Sequence, residues 1–543
     1  MTTAAQERTV SNCADRASLS WLSPAGVLPR PVVALSQNHR RASLAWMRLL
    51  GPNRERLGRL PPGLDPKVPP NGRKHSGAAV TDSSTRPVAS LQGKRNAGTQ
   101  LRMVLLVLSI GVFACSPETD DVADATRARE ANGPATTAPA PADNRKGCEG
   151  LATDVPWATD VQETSIVLAE GDDVTPRIEA VIYPHPDYEG SLWSQWGQGL
   201  VLDDGRHLSA IGDHLGRDGN SHLFEYDPAT GTLTQIMDVL AIAEHTPGDW
   251  AFGKIHAQMV RGPCNTVMVT TYWGARRNIE FTAGYRGDVL ISIDPQRRTV
   301  GTRGVMHPDH GTPSLAASPD RRLLYAEAVD PLHDGDAGAF VVRDAADGTT
   351  IFLDDDPAHI GYRSIAVGAD GRAFYSIGDG GLAVYDPRTN TRSRLESRLP
   401  GEWLRAATEP DGRGVVYGVT TDDDVFFALD PDGTVRTLTE ALGYTTSLAL
   451  SADGTTVYSV PYAHGQSWRI GAPLMAMDTA SGEQEIVVEL QPLAEKHLGM
   501  RLGGTYNVAV DQQRGTIYIG MNAGDAASDD GFGEVVLLIV TLP

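Results

Sequence analysis

The chain writes one short phrase over and over. Its clearest copy is Ser447-Leu448-Ala449-Leu450-Ser451-Ala452-Asp453-Gly454-Thr455-Thr456-Val457-Tyr458. Leu448 and Leu450 alternate with small residues, Asp453-Gly454 is a tight-turn dipeptide, and Val457-Tyr458 restarts a β-rich run. The phrase therefore reads strand, turn, strand. Further copies begin at Ser314, Ser364, Arg405 and Asn507, with looser ones at Gln198 and Ala257. Taken in order, the seven starts are 59, 57, 50, 41, 42 and 60 residues apart. Periods of roughly 40–60 residues with several short strands per unit predict a β-propeller.

A second phrase follows the first inside six of the seven units. It appears at Asp227-Pro228, Asp294-Pro295, Asp344-Ala345, Asp386-Pro387, Asp430-Pro431 and Asp478-Thr479, each between two strand-like runs. Asp and Pro set a turn and a following Gly closes it. Each unit thus holds two hairpins, a four-stranded antiparallel blade. The fold class expected is all-β, a seven-bladed β-propeller preceded by a disordered N-terminal region. A β-sandwich is the competing reading, but sandwiches do not repeat two phrases in fixed order. A propeller must also close its ring. The strand-like runs 165–169 and 177–183 and the apolar β run 534–541 are the candidate ends for that closure.

Composition separates the front of the chain from its body. Residues 1–102 hold 16 Lys+Arg and 5 Asp+Glu, a net +11, out of whole-chain totals of 47 and 68. The remainder is 31 basic against 63 acidic, a net −32. An acidic body of that size repels nucleic acid at long range, so no nucleic-acid partner is expected. Residues 1–93 show no sustained hydrophobic period. They read as a disordered basic arm or as sequence ahead of the true translation start, and the second reading is favoured. The reason is the stretch 94–115. Lys94, Arg95 and Arg102 precede an apolar run that ends Val112-Phe113-Ala114-Cys115. The run is too short to cross a bilayer and has the form of a secretory signal. Its ending resembles a bacterial lipobox, which makes Cys115 the expected lipidation site. Residues 116–147 are rich in Pro, Ala and Thr and are expected to be a flexible tether. The propeller is expected over 148–543.

Four cysteines occur: Cys13, Cys115, Cys148 and Cys264. With Cys13 outside the natural protein and Cys115 lipidated, Cys148 and Cys264 could form one disulfide in an oxidising periplasm, or remain two buried thiols.

Propeller sites lie in a funnel at one end of the central channel, where residues just before each innermost strand arrive. By register those are Trp196; Lys254 and His256; His310 and Thr312; Tyr362 and Arg363; Trp403 and Arg405; Tyr444; and Tyr506 with Asn507. After the second strands come His214; Tyr272, Trp273, Arg276 and Arg277; Asp379; Tyr462 and His464; and Asn522. This gathers His, Arg, Tyr and Trp on one rim of an acidic protein. Aromatic faces stack on flat ligands, Arg pairs with carboxylates, and His and Tyr exchange protons. The bland alternative is packing between blades, an even alternative for Trp196 and Trp403. His256, His310 and His464 stand at comparable blade positions and could instead ligate zinc through imidazole nitrogens. Asp354-Asp355-Asp356 and Asp422-Asp423-Asp424 could hold calcium, though acidic turns are commonly just solvated. The chain carries no Gly-x-Ser-x-Gly elbow, no Walker loop and no dinucleotide fingerprint in a strand–helix setting.

The two repeated phrases resemble those of the seven-bladed bacterial propellers of the YVTN, lactonase and Tol-system kind, over about 190–543. Such motifs specify fold rather than activity. Among propeller enzymes, ulvan and oligogalacturonate lyases use His, Tyr and Arg on the channel rim. By that analogy His256, Tyr272, Arg276 and Arg277 are the expected catalytic set. His214, His310, Arg363, Arg405, Tyr444, His464, Tyr506 and Asn507 are the expected ligand-binding set. Lactonase-type propellers hold a metal with Glu, Asn and Asp, for which Glu402, Asn507 and Asn522 are the nearest residues. The function expected is an exported, lipid-anchored propeller that binds an oligo- or polysaccharide, or another small ligand, in its funnel; if it is an enzyme, uronate β-elimination is favoured over metal-dependent lactone hydrolysis. It would meet the membrane through the lipid alone, with room for a protein partner. The alternative is a non-catalytic binding or scaffold propeller at the cell envelope.

Overall fold

The computed structural model describes residue 151 and residues 154–543, apart from 244, 247–248, 275–283, 330–337, 356–362, 422 and 528–530. The expected arm, signal and tether all lie outside the described residues. Among the described residues the strands form seven antiparallel sheets. Blade 1 runs from hub to rim as Leu200–Val201, His207–Gly212, Ser221–Asp227 and Thr232–Asp238. Blades 2 to 6 repeat that order, with innermost strands Val260–Arg261, Gly311–Ala317, Ala366–Val367, Leu404–Ala407 and Ala449–Leu450. Blade 7 takes Met500–Asp511, Thr516–Asp525 and Glu534–Thr541 from one end of the chain and Arg177–Ile182 from the other. The closing pair runs in register from Val536↔Ile182 to Thr541↔Arg177. The two chain segments named as closing candidates are therefore the ones that shut the ring.

Burial explains why the strands differ in composition. Blades pack face to face, so strands near the hub are covered on both sides. Gly381–Asp386 is buried at every position but its last, whereas the rim strand Thr391–Arg398 of the same blade is half-buried or exposed throughout. Among the described residues seven main apolar cores, one between each pair of adjacent blades, complete the circuit, with a smaller cluster of Tyr272, Trp273 and Val329 beside them. Leu208 and Leu223 meet Ile255 and Val267 between blades 1 and 2. Ile211 and Phe224 meet Tyr518 and Leu537 between blades 1 and 7. The other five cores join blades 2 to 7 in sequence.

The repeated Asp residues do one local job. In the first phrase Asp204, Asp320, Asp370, Asp411, Asp453 and Asp511 each accept a hydrogen bond from the backbone N–H two residues on. In the second phrase Asp227, Asp294, Asp344, Asp386 and Asp478 do the same. These are Asx turns, which tighten a hairpin with a side chain. Strand direction places both sets at the end of the ring opposite the funnel.

Two features go beyond the sequence reading. Blades 1, 2 and 7 carry five strands rather than four. Val155–Pro156 adds to the outer edge of blade 2, Gln162–Thr164 to that of blade 1, and Ile166–Ala169 to that of blade 7. One short run of chain thus belts three rims in succession and covers their open edges. A helix, Gln491–Leu498, links blades 6 and 7; Pro stands in its first turn and Gly499 closes it at φ +66. Cys264, expected either in a disulfide or as a buried thiol, is disulfide-bonded in the turn Pro263–Asn265, and the other three cysteines lie outside the described residues.

Candidate functional site

The funnel is built by chain that continues the inner strands past their regular pairing. Lys254 bridges Tyr272, extending the two inner strands of blade 2 toward the funnel, as Ser194 and Gly212 do in blade 1. In extended chain alternate side chains share a face. Ile255 accordingly enters the core between blades 1 and 2, while Lys254 and His256 both turn to the channel side. Gln195 is buried toward the closing seam, while Ser194 and Trp196 face each other, Trp196 Nε1 donating to Ser194 Oγ at 2.7 Å. Beyond the second strands the backbone turns through left-handed residues, His214 at φ +58, Tyr462 at +66 and His464 at +59. Few non-glycine residues adopt that conformation, and it aims these loops inward. Blade 7 makes room with Gly504 at φ +130, where a Cβ would stand 2.8 Å from Ala463 Cα and 3.1 Å from the His464 nitrogen.

Trp196 is the hub of the site. Lys254 Nζ lies over its indole at 3.9 Å from the centroid. Tyr506 packs against it at 4.7 Å, His464 at 5.5 Å, His214 at 5.8 Å, and Phe532 stacks on it at 5.9 Å. Arg363 reaches across the ring of blades. It donates through Nη2 to the Trp196 carbonyl at 2.9 Å, through Nη1 to His256 Nε2, and lies over the Tyr506 ring at 4.3 Å. Arg405 lies over Tyr444 at 4.5 Å, and Tyr444 faces His464 at 6.4 Å. Such cation–π contacts are worth about 0.5–2 kcal/mol each, more as water is excluded.

Electrostatically the site is one-sided. Among the described residues neither Lys254 nor Arg405 is paired with a carboxylate, and the Arg405 Nε is buried without a hydrogen-bond partner. Burial, then the charge of Arg363, holds the Lys254 ammonium well below its usual range. Burial, followed by Arg363 and Lys254, likewise holds His256 far down. His256 is therefore neutral, with Nδ1–H donating to the Pro313 carbonyl at 2.9 Å and Nε2 accepting from Arg363. Burial pushes His214 down to about 3, helped by Lys254. His464 is pushed down to about 4 by burial, then by Lys254, Arg363 and Arg405.

Of the residues expected in the site, His214, His256, Tyr272, Arg363, Arg405, Tyr444, His464 and Tyr506 belong to this one connected cluster. Two do not. His310 sits in a turn with His307 at 4.3 Å, its Nδ1 on the Pro308 carbonyl at 2.8 Å. Asn507 is fully buried; its Oδ1 accepts from the Gly199 N–H at 2.9 Å, and its Nδ2 points to Gln195 Oε1. Arg276, Arg277 and Tyr362 lie outside the described residues, as do Cys115 and Cys148. Among the described residues no three His, Cys, Asp or Glu side chains gather as a metal site. Lys254 and Trp196 stand at the funnel register in the sequence but outside the expected catalytic and ligand-binding sets, and Phe532, from blade 7, carries no sequence signal at all.

The fold and funnel together define a seven-bladed propeller with a cationic, aromatic-lined site. No protein-family model and no curated protein sequence matches the chain. Solved structures of similar architecture include a catalytically inactive virginiamycin B lyase from Staphylococcus aureus with quinupristin, at 10% identity and a TM-score of 0.43, covering 67% of this chain and 100% of that one. An oligogalacturonate lyase in complex with manganese gives 13% identity and a TM-score of 0.44, covering 72% of this chain and 98% of that one. A streptogramin B lyase gives 10% and 0.43, covering 68% and 100%. Likeness at this level says nothing of activity.

Proposed function

We propose that the funnel binds a carboxylate-bearing saccharide and cleaves it by β-elimination. The observation that supports this is a pair of cations, Lys254 and Arg405, each held against an aromatic ring and neither matched by a carboxylate among the described residues. In a chain of net charge −21, carboxylates to match them are plentiful. Leaving buried cations unmatched is costly, and an anionic ligand offsets that cost. Trp196, Tyr444 and Phe532 supply flat apolar faces beside the charges, suited to sugar rings. A neutral imidazole in the same cluster supplies a proton acceptor for the carbon next to the carboxylate.

Calorimetry with oligogalacturonate and a neutral oligogalactoside tests the binding. The acidic ligand is expected to bind, more weakly as salt rises, and the neutral one is not. Arg405→Gln and Lys254→Met are each expected to weaken binding by about tenfold or more, the scale of a lost charge-assisted contact. Equal affinity for the two ligands, or none for either, overturns the reading. A second reading, a binding propeller without turnover, draws on the engagement of both His256 nitrogens. Ultraviolet absorbance of the unsaturated product separates the two. Export and anchoring through lipidated Cys115 complete the proposal. Mass spectrometry of the mature protein is expected to find a diacylglyceryl Cys115 at its N-terminus; native peptides from 1–93 in the exported protein would contradict it.

A further inference from the structure

Two imidazoles of the cluster differ in what they leave open. His256 is buried and spends both nitrogens on protein partners, Pro313 and Arg363. His464 keeps an exposed surface at the funnel. Its Nδ1 is bonded to the Tyr506 hydroxyl at 2.9 Å, and its Nε2 makes no hydrogen bond among the described residues. The left-handed backbone at His464 and the close approach of Gly504 fix the loop that carries it.

We propose that His464, oriented by Tyr506, is the catalytic proton acceptor of the funnel, and that His256 is a positioning residue that acts through Arg363. The inference rests on the acidic-saccharide reading and deepens it. With its proton on Nδ1 and shared with the Tyr506 oxygen, His464 presents the Nε2 lone pair to the channel. Nε2 takes the proton from the carbon next to the ligand's carboxylate. The C–H electron pair becomes the new C=C bond, and the C–O bond to the neighbouring sugar breaks with its pair on oxygen. A water molecule protonates that oxygen, and the hydroxide left behind takes the proton back from His464.

The groups that face His464 are Lys254 from blade 2, Arg363 from blade 4, Arg405 from blade 5, and the tyrosines Tyr444 and Tyr506. Burial first, and then the charges of Lys254, Arg363 and Arg405, hold the ring's proton affinity down in the empty site. A bound carboxylate offsets the electrostatic part of that shift, so the ring's proton affinity rises when the ligand is in place. The geometry thus couples ligand charge to basicity.

The experiment compares His464→Gln and His256→Gln in the full chain with oligogalacturonate, reading affinity, kcat and pH profile. His464→Gln is expected to keep its affinity, which also reports correct folding, while kcat falls about 100-fold or more, the scale of a lost general base. The acid limb of wild-type kcat is expected at higher pH than that of kcat/KM, and it disappears in His464→Gln. His256→Gln is expected to lose affinity through a released Arg363, yet keep the acid limb in its remaining turnover. Normal kcat in His464→Gln overturns the assignment, as does loss of the acid limb in His256→Gln. A wild-type protein that binds the ligand but forms no unsaturated product overturns it too and leaves the binding reading standing. Absence of binding sinks that reading, and this one with it.

Discussion

Asn522 shows how single residues hold the ring. Its Oδ1 accepts from the Gln195 N–H at 2.7 Å, and its Nδ2 donates to the Gln195 carbonyl at 3.0 Å. One side-chain amide thereby pairs with backbone as a neighbouring strand would, across the joint between blades 7 and 1. Both partners are buried. Asn522→Ala would leave a buried N–H and C=O unmatched, at about 1–3 kcal/mol each. The expected result is a clear drop in the urea midpoint with an unchanged slope; an unchanged midpoint would contradict this account. Asn507 and Asn522 stood at funnel register in the sequence, yet they turn into the joint. No spacing rule could show that, because Asn522 and Gln195 are 327 residues apart. Lys254 and His256 were legible for the opposite reason. Their facing follows from simple alternation around Ile255.

At the scale of elements, the hairpins were legible because their chemistry is local. An Asp and the N–H two residues on lie in one turn, so the signal survives in sequence. Asp411 is the most heavily used of these. Its Oδ1 accepts from Arg413 N at 2.8 Å and Val415 N at 2.9 Å, and its Oδ2 accepts from the Tyr417 hydroxyl at 3.1 Å. Asp411→Ala is expected to cost about 2 kcal/mol, measured by chemical denaturation, since several charge-assisted bonds go at once. The same change at Asp453, in an exposed turn with bonds only to Ser451 and Thr455, is expected to cost less. A reversed order would contradict this reading of the turns. The belt over the three rims was legible only at its end, where the run 165–169 reads as a strand. Val155–Pro156 and Gln162–Thr164 are two and three residues long and wholly exposed, so no hydrophobic pattern marks them. The helix Gln491–Leu498 did carry marks, a Pro at its start and a Gly after its end, but at two turns it was too short to stand out from the β pattern.

At the scale of the whole molecule, buried titratable groups pull stability in opposite directions with pH. Burial holds His207 and His214 at about 3. Their contribution is complete above their ordinary value of 6.5 and drains away as pH falls toward 3, because only the unfolded chain takes up the proton. Burial raises Glu327 and Asp288 to about 8. Their contribution is complete below the ordinary carboxyl range and is lost as pH rises toward 8. Glu327→Gln removes one cause of the alkaline loss, so its gain in urea midpoint over wild type should be larger at pH 8 than at pH 5. Equal gains at both pH values would refute the buried-acid account. Net charge, by contrast, was a poor guide at this scale. An acidic body encloses a cationic funnel, and only the register of the repeats pointed to it.

The joint between Arg177–Ile182 and Glu534–Thr541 sets an order of assembly. Arg177–Ile182 can pair at once with Ile166–Ala169, but its other edge has no partner until Glu534–Thr541 is made. Each intervening blade can form its hairpins as it emerges, but the wheel stays open, with blade 1 exposed on one flank, until Glu534–Thr541 has been made. A nascent chain halted anywhere short of Glu534–Thr541 is an arc with two sticky ends, and only one that carries this strand can become a wheel.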